Sequence, residues 1–145
     1  MAQRTAQTRW SGGLQDGKGV TTLVSSGLGS YDVSFPTRTA ETANGATSPE
    51  ELLAAAHSAC YSMQLSAFLA EAGGTVENIT TDAEVGVGAD PAGGFKLTGI
   101  TLTVRATVPG LSAEQFAEAA EKAKTACPVS KALTGVTITL DAALA

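Results

Sequence analysis

Two cysteines in 145 residues, Cys60 in "HSACYSM" and Cys127 in "TACPVSKAL", are the side chains of this sequence best suited to chemistry. A thiol does nucleophilic or redox work only as the thiolate, and at its ordinary pKa of about 8.5 a free cysteine is a few per cent ionised at neutral pH. Cys127 precedes Pro128, whose ring disfavours helical geometry at the residue before it and whose fixed φ suits the start of a new short helix, "PVSKAL". That puts Cys127 at an N-cap-like position, where unpaired N–H groups and the helix dipole favour a thiolate. Cys60 lies among apolar residues, and burial alone raises a thiol's pKa, so it needs a cationic neighbour to react. Either residue, taken singly, also reads as a small buried hydrophobe.

Three further side chains bear on the thiols. His57 lies three residues before Cys60 on the same helical face and invites a Cys–His nucleophile, with a supporting or core position as the competing reading. Arg38, in "FPTR", reads by itself as a solvated loop residue. Glu50, in "SPEE", reads as a carboxylate at the positive end of a helix dipole, although Glu51 already fills the capping position and leaves Glu50 freer. One His and two distant Cys without a C-x-x-C pair cannot close a tetrahedral shell without other ligands, so no metal site is expected.

The elements that hold these residues read as follows. "GVTTLVSS" and "YDVSF" are strand-like, with glycine clusters at Gly12-Gly13 and Gly27 to Gly29 separating the pieces of an antiparallel meander. "TRTAETANGAT" is a polar loop. Ser48, Pro49 and Glu51 give an N-cap, a first-turn proline and a capping box, and Gly73-Gly74 stop the helix they open. Its apolar residues, Leu52, Leu53, Ala56, Ala59, Cys60, Met63, Leu65, Phe68 and Leu69, cover most of the circumference. Such a helix wants burial on nearly all sides, which implies a second subunit.

Two more strands follow, "VENITTDAEVGV" and "GGFKLTGITLTVRATV", joined by the turn "ADPAGG". The second changes phase at Gly99, the mark of a bulge, before Ile100, Leu102, Val104, Ala106 and Val108 alternate. Ser112 and Gln115 form a second capping box, opening a helix with Phe116, Ala120, Ala123 and Cys127 on one face. A last strand alternates Val136, Ile138, Leu140 and Ala142. The order βββ-α-ββ-α-β predicts an α+β fold with antiparallel pairing, as one domain over residues 1–145.

Composition narrows the partners. With 43% hydrophobic and 16% charged residues the chain has material for a core without disulfide staples. A net charge of −5 and no Lys/Arg cluster give no footprint for nucleic acid. No apolar run reaches the roughly 18 residues of a membrane span, and the first ten residues lack a secretory pattern. A cytoplasmic location is the default expectation.

"SPEELLAAAHSACYSM", followed some sixty residues on by "ACPVSKAL", resembles the OsmC/Ohr family of osmotically inducible and organic hydroperoxide resistance proteins. The resemblance spans nearly the whole chain. It implies a thiol peroxidase built as an intertwined homodimer, with long central helices enclosed by sheets from both subunits. It places the family's peroxidatic cysteine on Cys60, its resolving cysteine on Cys127 and its motif glutamate on Glu50. The essential arginine of the OsmC branch, in an F-x-x-R context, falls on Arg38. The glycine-rich loop "SGGLQDGKG", where the Ohr branch carries its arginine, has none.

What the resemblance implies fits the chemistry. A pKa near 6 would make a thiol about 90% thiolate, roughly thirtyfold more than an unperturbed one. Arg38 would supply the charge, Glu50 would fix its fork, and attack by Cys127 on a Cys60 sulfenic acid would close a disulfide before over-oxidation. The implied partners are a hydroperoxide, organic or hydrogen peroxide, and an external dithiol of lipoyl type, and the resemblance implies no bound cofactor. Ten residues of continuous helix place Glu50 about 15 Å along the axis from Cys60, which predicts that Glu50 acts in trans on the Arg38 and Cys60 of a partner subunit. Two other classes compete: a non-catalytic binding module for small apolar ligands, and a thiol redox sensor.

Overall fold

The computed structural model describes all of residues 1–145. The chain folds as two compact units, Met1–Leu52 and Leu53–Ala145.

The first unit is built on β1 (Gln7–Ser11), β2 (Lys18–Thr22) and β3 (Ser30–Val33), an antiparallel sheet in that order. Gly12, at φ +90°, makes the β1–β2 turn, where a Cβ would lie 2.8 Å from the Gly17 backbone. Beyond β3 the strand reading of "YDVSF" fails at its last two residues, because Phe35–Arg38 forms a short helix, α1. Ser34 caps it by accepting the Thr37 N–H, and Pro36 in the first turn is already fixed near helical φ. The polar loop therefore begins after Arg38, and it ends where the Thr47 N–H donates to the Asp32 carbonyl at 2.9 Å. That bond ties the start of the next helix to the sheet.

The long helix α2 (Pro49–Glu71) begins as expected, with one change. Ser48 Oγ accepts the Glu51 N–H at 3.1 Å, but the Glu51 carboxylate accepts the Thr47 hydroxyl, so the reciprocal half of the capping box is diverted. At the other end Gly73, at φ +88°, lets the Gly73 and Gly74 N–H groups turn back onto the Ala70 and Leu69 carbonyls, both at 3.0 Å.

In the second unit β4 (Asn78–Ala89), β5 (Phe95–Thr107) and β6 (Ile138–Leu144) form a sheet in the order β4-β5-β6. The β4–β5 hairpin is antiparallel, and its register slips between Gly86↔Gly99 and Val87↔Leu97, leaving Thr98 as the extra residue of a bulge beside Gly99. β5 and β6 pair in parallel, which corrects the expectation of antiparallel pairing throughout. The reason is the connection: α3 (Ala113–Ala126) and α4 (Pro128–Ala132) carry the chain back before β6 starts, the kind of crossover that parallel neighbours require.

The core lies between this sheet and two helices. Tyr61, Leu65 and Leu69 recur at four-residue spacing on one face of α2 and are fully buried, with Phe116, Ala120 and Ala123 of α3 and Ile100, Leu102, Val104 and Ala106 of β5. Each such leucine contributes about 1.5–3 kcal/mol relative to an exposed one. The Tyr61 hydroxyl donates to the Ala120 carbonyl at 3.0 Å, so the core's one deep phenol is satisfied. On the opposite side of α2, Met63 is 72% exposed. Within one chain the helix is thus covered on one face, not all round. No helix is long and apolar enough to cross a membrane.

Candidate active site

The residues singled out by sequence fall into two clusters, one in each unit. In the first unit the last residue of α1 meets the first turn of α2. Arg38 Nε donates to both Glu50 carboxylate oxygens at 3.2 and 3.1 Å, and Nη2 donates to Oε1 at 2.6 Å. The glutamate side chain is 9% exposed and the arginine 30%. Burial pushes the Glu50 carboxyl up, but the Arg38 hydrogen bonds and charge outweigh it and hold the group below the usual carboxylate range. The Glu50 hydrogen bond correspondingly raises the guanidinium further.

This geometry corrects one expectation. Glu50 does not have to cross to another chain to meet Arg38: both come from the same chain, because the Thr47–Asp32 bond returns the loop to β3 and sets the first turn of α2 beside α1. Arg38 is accordingly a half-buried side chain whose orientation Glu50 fixes. It opens onto a cavity of about 500 Å³ lined mainly by apolar groups, among them Trp10, Leu14, Val33, Phe35 and Leu52. A larger cleft of about 670 Å³ over Arg9, Lys18 and Asp32 in the same unit is lined by none of the predicted site residues.

In the second unit Cys60, on α2, and Cys127, between α3 and α4, are both free thiols with their sulfurs 3.0 Å apart. Cys127 is fully buried and Cys60 partly so. The chain fixes Cys127 on both sides: its N–H donates to Ala123 at 2.9 Å and its carbonyl accepts the Lys131 N–H at 3.0 Å, ending one helix and starting the next. Burial would push the Cys127 thiol up, yet its contact with Cys60 and with the amides of Ser130 and Val129 and the Ser130 hydroxyl brings it below its ordinary value. Burial, and then the contact with Cys127, pushes Cys60 up. Cys127 is the N-cap residue of α4, the position its proline neighbour predicts.

His57 is fully buried, and its Nε2 lies 2.8 Å from Ser130 Oγ. Burial holds the imidazole below its ordinary pKa, keeping it neutral. The ring therefore faces a hydroxyl, not a thiol. Ser130 was not singled out by sequence, although its place three residues after Cys127 was a usable signal: a side chain in the first turn of a helix sits close to its N-cap. No group of three or more His, Cys, Asp or Glu side chains is arranged to hold a metal ion.

Comparison with known proteins places this pattern. The family profile described as "OsmC-like protein" matches residues 42–141. Peroxiredoxin OsmC of Escherichia coli strain K12 is 43% identical over 138 residues, covering 95% of this chain and 94% of that protein. Organic hydroperoxide resistance protein OhrA of Bacillus subtilis strain 168 is 37% identical over 115 residues, covering 77% of this chain and 79% of that protein. Among solved structures, an organic hydroperoxide resistance protein OsmC from Legionella pneumophila superposes with a TM-score of 0.73 at 30% identity, covering 99% of both chains. With the paired cysteines, the Arg38–Glu50 pair and a profile match over most of its length, the chain belongs to the OsmC-like protein family.

Proposed function

We propose that Cys60 is the peroxidatic thiol and Cys127 its resolving partner in a cycle that reduces organic hydroperoxides, in defence against oxidative or osmotic stress. The protein is a thiol peroxidase, as its relatives' names indicate. In this cycle the Cys60 thiolate attacks the terminal oxygen of R–O–O–H, and the alkoxide leaves and takes up a proton. Cys60 becomes a sulfenic acid. The Cys127 thiolate then attacks the Cys60 sulfur, displacing hydroxide, which is protonated to water. An external dithiol of lipoyl type is oxidised as it returns the disulfide to two thiols. The observation that carries the reading is the approach of two free sulfurs to 3.0 Å in an otherwise cysteine-free chain.

Activation of Cys60 requires a cation, since burial pushes its thiol the wrong way. The Arg38–Glu50 pair is built for that task, because a guanidinium stays charged when desolvated and its fork, held by one carboxylate, keeps donors for a thiolate and a peroxide oxygen. α2 runs unbroken from Pro49 to Glu71, and ten residues of helix span about 15 Å. The pair therefore serves the Cys60 of a partner protomer in a homodimer, each active site being completed at the subunit interface. The exposed Met63 face of α2 supports a partner there. Residues 1–145 act as one peroxidase domain, as the 95% match to a peroxiredoxin relative suggests. The apolar cavity at Arg38 favours organic peroxides over hydrogen peroxide.

The test is turnover with a dithiol donor. Cys60→Ser should abolish peroxide consumption, while Cys127→Ser should consume about one equivalent and stop, with Cys60 oxidised. Full turnover by the Cys60→Ser protein would sink the assignment, and a wild type that oxidises once without turning over would make the protein a sensor instead.

A further inference from the structure

His57 is the sequence's only histidine, fully buried, and its Nδ1 has no hydrogen-bond partner. Its other nitrogen makes a single bond, to Ser130 Oγ at 2.8 Å. A buried N–H without an acceptor costs more than a buried lone pair without a donor, so the proton sits on Nε2 and the orphaned Nδ1 is the unprotonated nitrogen. Nε2 then donates to Ser130 Oγ. With its lone pair engaged, the serine hydroxyl has its own proton to give, and it sits three residues after Cys127 in the first turn of α4, with Cys127 Sγ 3.0 Å from Cys60 Sγ.

We propose that His57 and Ser130 form a buried donor chain, His57 Nε2–H to Ser130 Oγ and Ser130 O–H to Cys127 Sγ, that prepares Cys127 to resolve the Cys60 sulfenic acid. In this chain Ser130, in the first turn after the Cys127 cap, is the donor to the reacting sulfur, and His57 is a positioning residue that acts through it. The proposal rests on the assignment of Cys127 as the resolving thiol. The lowered pKa of Cys127, to which the Ser130 hydroxyl contributes, agrees with this direction of donation. In the step served, the Cys127 sulfur forms the S–S bond as the Cys60 S–O bond breaks. The Cys127 proton ends on the departing hydroxide as water, and the sulfenic acid is the only oxidant needed. The chain acts on the second step of the cycle and leaves the attack on peroxide to Cys60 and its cation.

The two steps separate in a rapid-mixing experiment on the full-length protein with one equivalent of cumene hydroperoxide, following dimedone-trapped sulfenic acid and the Cys60–Cys127 disulfide by mass spectrometry. Ser130→Ala should form sulfenic acid at the wild-type rate and the disulfide roughly tenfold more slowly, the loss of one hydrogen bond to a charged group, with sulfinic acid appearing in excess peroxide. His57→Leu should behave likewise. His57→Gln, which keeps an N–H near the Nε2 position, and Ser130→Thr, which keeps the hydroxyl, should recover most of the disulfide rate, a rescue that general loosening of the core would not give. Wild-type disulfide rates in Ser130→Ala overturn the proposal, whether or not His57→Leu folds. A wild type that forms no Cys60–Cys127 disulfide overturns the two-cysteine reading and this proposal with it.

Discussion

Arg38 and Glu50 show how little freedom the site leaves to a charged side chain. Three hydrogen bonds between guanidinium and carboxylate fix the plane of the fork, and a lysine, a point charge on a flexible stem, could not reproduce that. Arg38→Ala should raise the apparent pKa of Cys60 and slow its alkylation near neutral pH, and Arg38→Lys should restore only part of the rate. An unchanged alkylation profile would remove Arg38 from the site. The same residues set acid behaviour. Because the folded pKa of Glu50 is depressed, its contribution to stability is present above the unfolded value of about 4.3 and is lost as pH falls through the folded one. His57 has the same sign by another route. Its folded pKa is also depressed, so the unfolded chain takes up a proton below about 6.5 while the native ring stays neutral, and stability falls as pH drops from there toward the folded value. Thermal melts of the wild type should decline as pH falls below about 6.5, and His57→Gln should flatten that part of the curve. An identical slope in both proteins would contradict a buried neutral histidine.

At the scale of elements, what was legible in the sequence was what local chemistry decides. Ser112 and Gln115 make both halves of their capping box, and Pro128 separates α3 from α4 with Cys127 between them. Gly73 and Gly74 end α2 by a left-handed turn that needs no distant partner. Signals fixed by tertiary contacts were not legible: the parallel pairing of β6, the cis meeting of Arg38 with Glu50, and the diversion of Glu51 to Thr47 each depend on chain brought back from elsewhere. α1 is an intermediate case. Ser34, Pro36 and Thr37 carried a cap signal, but the alternation of Tyr31, Val33 and Phe35 carried the strand two residues too far. The two glycines after α2 should differ in a measurable way. At Gly73 an added Cβ meets nothing within 4 Å, so Gly73→Ala should cost only the left-handed backbone term, about 1–2 kcal/mol. At Gly74, whose backbone is not left-handed, the Cβ would stand 2.7 Å from Leu111 and Val108, so Gly74→Ala costs overpacking instead, about 1–3 kcal/mol. A Gly74→Ala protein whose denaturant midpoint matches that of the wild type would show that the contact at Gly74 relaxes.

At the scale of the whole molecule, the all-round apolar character of α2 remains unspent in one chain, with Tyr61, Leu65 and Leu69 buried and Met63 facing outward. Met63→Glu should therefore weaken self-association, read as a concentration-dependent shift to the monomer by sedimentation velocity, and activity should fall with it. The division of chemistry between chains gives a sharper prediction. If the Arg38–Glu50 pair of one protomer activates the partner's Cys60, the Glu50→Ala homodimer has thiols without an oriented guanidinium, and the Cys60→Ser homodimer has the ion pair without a nucleophile. Neither holds a competent site. In a heterodimer of the two, the Cys60→Ser protomer lends its intact ion pair to the intact thiols of the Glu50→Ala protomer, and one complete site forms, while the second site lacks both groups. Mixing the variants under conditions of subunit exchange should thus restore activity, up to about one quarter of that of the same total amount of wild type, since random exchange makes about half the dimers mixed and each mixed dimer carries one site of two. Exchange demonstrated by mass spectrometry with no recovery of turnover would count against activation across the interface and leave Glu50 as a purely structural partner of Arg38.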